Sequence, residues 1–136
     1  MPPKVIRANH FVLEDENGTP RVTLGVTAKE RAGLVLNDER GKVRVLLSVT
    51  TDGPELSLLD EKETRRVLLS MDNTGEKLHL SDGNGTLRVA LSVSTDGPVL
   101  VLADAHGKVR ATLAVSETGP GLLLLDETGT PIWSQV

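Results

Sequence analysis

Leucine and valine recur at every second position in short runs, and polar turn residues break the runs at regular intervals. Leu34 and Leu36 form one such pair, followed by Val45, Leu47 and Val49. Leu56 and Leu58 come next, then Val67, Leu69 and Met71, and the pattern returns in Val89, Leu91 and Val93 and in Leu100 and Leu102. Alternation with a period of two, rich in β-branched residues, predicts β-strands. Two kinds of turn separate them. One is Asp-x-x-Gly, in which Asp bonds nearby backbone N–H groups and Gly accepts a positive φ. The other is Thr51-Asp52-Gly53-Pro54 or Thr95-Asp96-Gly97-Pro98, where Pro stops the turn. No interval leaves room for a helix, so the expected content is about twelve short strands.

The turns reveal a repeat. Asp15, Asp38, Asp60, Asp82, Asp104 and Asp126 are spaced by 23, 22, 22, 22 and 22 residues. Three residues after each Asp stand Gly18, Gly41, Gly85, Gly107 and Gly129, with Glu63 in the third copy. Six residues after each Asp stand Arg21, Arg44, Arg66, Arg88 and Arg110, and then Ile132 in the last copy. Such columns define six tandem copies of a 22-residue, two-strand unit. The chain is expected to be a single all-β repeat domain over residues 1–136.

Two architectures fit this unit. In an antiparallel meander, both turns close hairpins. In a flattened β-solenoid, each copy is one coil and equivalent strands stack in parallel. In either, the Leu-Leu strands are expected to face the Val-Leu-Val strands across a core. A six-hairpin trefoil predicts a 44-residue superperiod, which is absent. The opposite face carries Ser48, Ser70, Ser92 and Ala114 beside the Arg column, but also Leu46, Leu59, Leu68, Leu123 and Leu125. Apolar character on both faces asks for cover on both sides. The terminal copies differ from the rest: Pro20 and Pro131 share a column, Phe11 replaces Leu, and Trp133 replaces Val. These four are expected to cap the ends of a linear stack, since Pro is tolerated at edges.

Composition narrows the function classes. A chain of 136 residues is long enough to bury a core, and its 38% hydrophobic content is mostly Leu and Val. Without Cys, disulfides and thiolate metal sites are excluded. The net charge of −4, with both signs interspersed, gives no basic run for nucleic acid. No apolar stretch approaches the ~20 residues that span a bilayer. The first residues, Met1-Pro2-Pro3-Lys4-Val5, lack a signal peptide's apolar region. A cytoplasmic or particle-associated protein is expected.

The Arg column (Arg21, Arg44, Arg66, Arg88, Arg110) is the leading candidate for an interaction ladder that could hold an anionic polymer or a carboxylate-rich partner. The competing reading pairs each Arg with acidic neighbours such as Asp38 or Asp60, its stem shielding the strand below. Net acidity and the absence of stacking aromatics favour pairing. The Asp column invites a Ca²⁺ reading, but calcium-binding solenoids need the denser Gly-Gly-x-Gly-x-Asp motif. His10, His79 and His106 fall in three different columns, and Ser48, Ser70 and Ser92 have no His column to activate them. Gly83-Asn84-Gly85 is a turn with no helix after it, not a phosphate cradle. No catalytic, cofactor or metal site is therefore expected. The function expected is a non-catalytic structural or protein-interaction module: a homo-oligomer, or a subunit mounted on a fibre, phage particle or multi-subunit complex. The alternative is a ligand-binding module using the Arg or Asp columns for anions or Ca²⁺.

Overall fold

The computed structural model describes residues 6–26 and 32–135. The opening residues and the first copy's second turn lie outside that range. The first six strands are β1 (His10–Glu14), β2 (Pro20–Val26), β3 (Ala32–Asn37), β4 (Val43–Val49), β5 (Pro54–Leu59) and β6 (Arg65–Asp72). They continue as β7 (Gly75–Ser81), β8 (Leu87–Ser94), β9 (Gly97–Ala103), β10 (Val109–Ser116), β11 (Gly119–Leu125) and β12 (Pro131–Gln135). All twelve lie in one open sheet in sequence order, each antiparallel to the last. The chain is thus a hairpin meander, as the Asp-x-x-Gly turns predict, and the solenoid alternative is excluded. A solenoid needs parallel pairing between equivalent strands, and every neighbouring pair here runs antiparallel.

Within each copy the Asp turn joins an odd strand to the next even one. Gly41 N–H donates to the Asp38 carbonyl at 3.0 Å, and Asp38 N–H donates to the Lys42 carbonyl at 2.9 Å. The same two bonds recur at Asp15, Asp60, Asp82, Asp104 and Asp126. The third copy keeps this geometry although Glu replaces Gly, because Glu63 itself adopts φ 60°. The charged loop Glu61-Lys62-Glu63 is therefore the same turn under strain, not a different one.

The expected two-layer core does not form. The Leu-Leu and Val-Leu-Val strands lie side by side, and their alternating residues share one face of a single layer. One row across that face begins Leu13, Val22, Leu36, Val45, Leu58, Val67 and ends Leu124, Trp133. A second row begins Phe11, Leu24, Leu34, Leu47, Leu56, Leu69 and ends Leu122, Gln135. Length alone suggested a core, but one sheet has nothing to pack against. Among the described residues no hydrophobic side chain is buried; Leu47 is 48% exposed and Leu69 50%. The one fully buried side chain among the described residues is polar: Ser57, at 1% exposure, between Leu46 and Leu68 on the opposite face.

Candidate functional site

The Asp and Arg columns come together. Each Asp turns one carboxylate oxygen inward to the backbone of its own turn. Asp38 Oδ1 accepts from the N–H groups of Arg40 (2.9 Å) and Lys42 (3.0 Å), and Asp82 Oδ1 accepts from Asn84 (2.9 Å) and Thr86 (3.1 Å). In the first five copies the other oxygen meets the Arg six residues on. The pairs are Arg21–Asp15 at 3.6 Å, Arg44–Asp38 at 3.5 Å, Arg66–Asp60 at 3.4 Å, and Arg88–Asp82 and Arg110–Asp104 at 3.3 Å.

Each Arg occupies an unusual backbone position. Between the pairs Leu36↔Val45 and Asn37↔Val43 the register slips by one, leaving Arg44 as an extra residue. The same β-bulge falls at Arg21, Arg66, Arg88 and Arg110, and at Ile132 in the last copy. A bulge bends the strand and re-aims its side chain. Here it sends the guanidinium across to the next copy. Arg44 Nε donates to the Leu59 carbonyl at 3.0 Å, one residue beyond the last β4–β5 pair, Val45↔Leu58. Arg21 does the same to Asn37 (3.3 Å), Arg66 to Ser81 (2.8 Å) and Arg88 to Ala103 (3.0 Å). Arg110 Nη1 donates to the Asp126 carbonyl. The side chain continues the ladder where the backbone pairing stops. Each Arg thereby ties its own turn to the neighbouring copy.

These contacts set the charge state of the aspartates. The Thr19 amide holds Asp15 below its ordinary value of 3.8, with help from Asn17 and Arg21. Around Asp38 and Asp60 partial desolvation works upward, but the turn amides and Arg44 or Arg66 outweigh it. Asp82, Asp104 and Asp126 are lowered too, led by Asn84, His106 and Thr128 respectively. Asp72, in a different turn, is lowered most strongly, by Lys77 at 2.6 Å and by Thr74.

The remaining candidates stay apart. His10 opens β1, His79 lies mid-sheet in β7 on the Arg-bearing face, and His106 sits in the β9–β10 turn. Ser48 Oγ donates to Glu55 at 3.1 Å. Among the described residues no three His, Asp or Glu side chains converge on a metal-sized site. A hollow of about 280 Å³ near His10, Thr23 and Leu46 arises where Gly25 stands in place of the later copies' Ser48 and Ser70, and Gly33 in place of their Glu55 and Lys77. Phe11 (43% exposed) and Trp133 (45%) lie on the apolar face of the two outermost strands. Pro131 begins the edge strand β12, whereas Pro20 begins the inner strand β2, opposite Glu14.

Two features lay outside the sequence reading. The bulge at the Arg position is one; its signal is Ile132, which stands in place of Arg in the sixth copy. The other is the close approach made by the second turn's glycines, which form the column Gly53, Gly75, Gly97 and Gly119, again 22 residues apart. Gly97 has φ 112°, and a Cβ there would lie 2.0 Å from the Val115 carbonyl oxygen. Gly53, Gly75 and Gly97 let the second turn approach the next copy's strand, whereas a Cβ at Gly119 would meet nothing within 4 Å. The chain matches no known protein-family model, and no curated protein shows significant similarity to it.

Proposed function

We propose that this chain is a non-catalytic structural module that works through its apolar sheet face, by self-association or by mounting on a larger assembly such as a fibre, phage particle or multi-subunit complex. The observation that carries this reading is the absence of any buried hydrophobic side chain among the described residues. Folding is driven mainly by removing apolar surface from water. A single layer leaves both its faces in solvent and forfeits much of that drive. Eleven inter-strand steps of ~4.8 Å make the apolar face about 53 Å long, and at ~15–20 Å wide it covers roughly 800–1,100 Å². The largest apolar patch on a typical monomer is about 300–600 Å², and larger patches mark interaction sites.

The ligand-binding alternative has less support. The Arg guanidinium groups are spent on turn carboxylates and strand carbonyls, and the carboxylates on turn amides. Static light scattering on a sizing column tests the proposal: a particle of at least twice the 14.5 kDa chain mass is expected at micromolar concentration. A folded, strictly monomeric species would overturn self-association. A melting temperature raised by Ca²⁺ or by a polyanion would favour the ligand-binding reading instead.

A further inference from the structure

Resting on the self-association reading, we infer that the occupant of the apolar face is a second copy of this chain, stacked face to face to make a two-layer sandwich with the Asp–Arg face outward. The first argument is the make-up of the face. Its two full rows cross all twelve strands, 24 positions in all, and Gln135 is the one polar residue among them. A third, shorter row toward the glycine turns adds Val49, Met71, Val93 and Val115, with Glu76 at the rim. No charge interrupts the interior, so a partner must offer an equally long uncharged surface.

The second argument is self-complementarity. Because the unit repeats every 22 residues, the face presents the same Leu and Val rows along its whole length. A two-fold axis lying between two such faces and parallel to their strands sets like rows against like, and stacked sheets pack ~10 Å apart with their strands within about 30° of each other. Two copies would cover roughly 1,600–2,200 Å² of projected face, within the range of stable dimers and reaching that of obligate ones.

The third argument removes the obvious competitor, edge-to-edge growth into a continuous sheet. Four of the five junctions between copies are tied by an Arg reaching the next copy's strand-end carbonyl, and the fifth by Arg110 reaching the Asp126 carbonyl. At β12 the bulge residue is Ile132, which has no donor to offer the Glu14 carbonyl of an incoming β1. Both edge strands are also short, at five residues against six to eight inside. Short edges are a means of discouraging strand addition.

The chain contains no Cys, so single thiols report each face cleanly. Leu69→Cys places a thiol mid-sheet on the apolar face, and Ser70→Cys places one on the opposite face of the same strand. With native protein and a soluble aromatic disulfide reagent, the Leu69→Cys thiol is expected to react about tenfold or more slowly than the Ser70→Cys thiol, since burial suppresses thiolate formation and access. Both variants should retain the dimer mass. A dimer in which the Leu69→Cys thiol reacts as fast as Ser70→Cys would overturn face-to-face stacking while leaving self-association standing. A folded monomer with both thiols reactive would overturn both. A monomer whose Leu69→Cys thiol becomes protected only on adding phosphatidylcholine vesicles would replace the second copy with a lipid surface. As an independent check, Leu47→Lys with Leu91→Lys should abolish the dimer, whereas Ser70→Lys with Ser92→Lys should leave it intact.

Discussion

At the scale of single residues, the repeat shows its tolerances where a copy departs from the pattern. Glu63 holds a left-handed backbone conformation that its five counterparts assign to Gly, and a non-glycine residue there costs about 1–2 kcal/mol. Glu63→Gly should therefore stabilise the protein by about 1 kcal/mol, even after losing the exposed contact to Lys42. Denaturant unfolding at a fixed protein concentration measures this. The second glycine column gives a prediction of opposite sign. Gly97→Ala drives a Cβ onto the Val115 carbonyl and should cost about 3 kcal/mol. Gly119→Ala shares the positive φ but has no atom within 4 Å, so only about 1 kcal/mol is expected. Equal losses at the two sites would mean that strand approach is not what selects the glycine. Ser57, buried with its hydroxyl unpartnered, occupies a position that Val35 and Val101 fill in other copies. Alternation placed it on the correct face, but its burial depends on Leu46 and Leu68 across the strands, which no local pattern carries.

At the scale of the hairpin, the Asp–Arg pair joins a turn to the neighbouring copy. Arg88→Met keeps the stem but removes the donor to Ala103, at an expected cost of about 1 kcal/mol. Amide exchange should quicken along the β8–β9 junction and much less at β2–β3, whereas a uniform rise would indicate global destabilisation instead. The aspartates supply a pH dependence. Their folded values lie below the ordinary 3.8, so their contribution is fully present above that value and is lost as pH falls through the depressed folded values. Melting temperature should be level above about pH 5 and drop below about pH 4, and Asp82→Asn should shallow that drop. Strand alternation and the Asp-x-x-Gly turn were readable in sequence because both are local. The bulge was not, because its partner carbonyl lies 15 or 16 residues away in the next copy. Ile132 was the clue, visible only once the role of the Arg was known.

At the scale of the whole molecule, the central feature is a twelve-stranded sheet with one face apolar from end to end and no second layer of its own. Alternation predicted which residues of each strand share a face, but it set the Leu-Leu strands across a core from the Val-Leu-Val strands, and they lie side by side on one face instead. It could not predict how many layers those faces make, since period two is the same in a sandwich and in a single sheet. Layer count depends on long-range closure, which the antiparallel sequential order β1–β12 leaves open. A sheet of this kind should gain much of its stability from what covers it, so its melting temperature should rise with protein concentration. The most direct measurement is sedimentation equilibrium over a dilution series, with folding followed in the same samples by circular dichroism. The expected result is a mass of at least twice 14.5 kDa, with β-structure lost as dissociation proceeds. A 14.5 kDa species that keeps its full β-signal on dilution would contradict the claim that the sheet needs a partner.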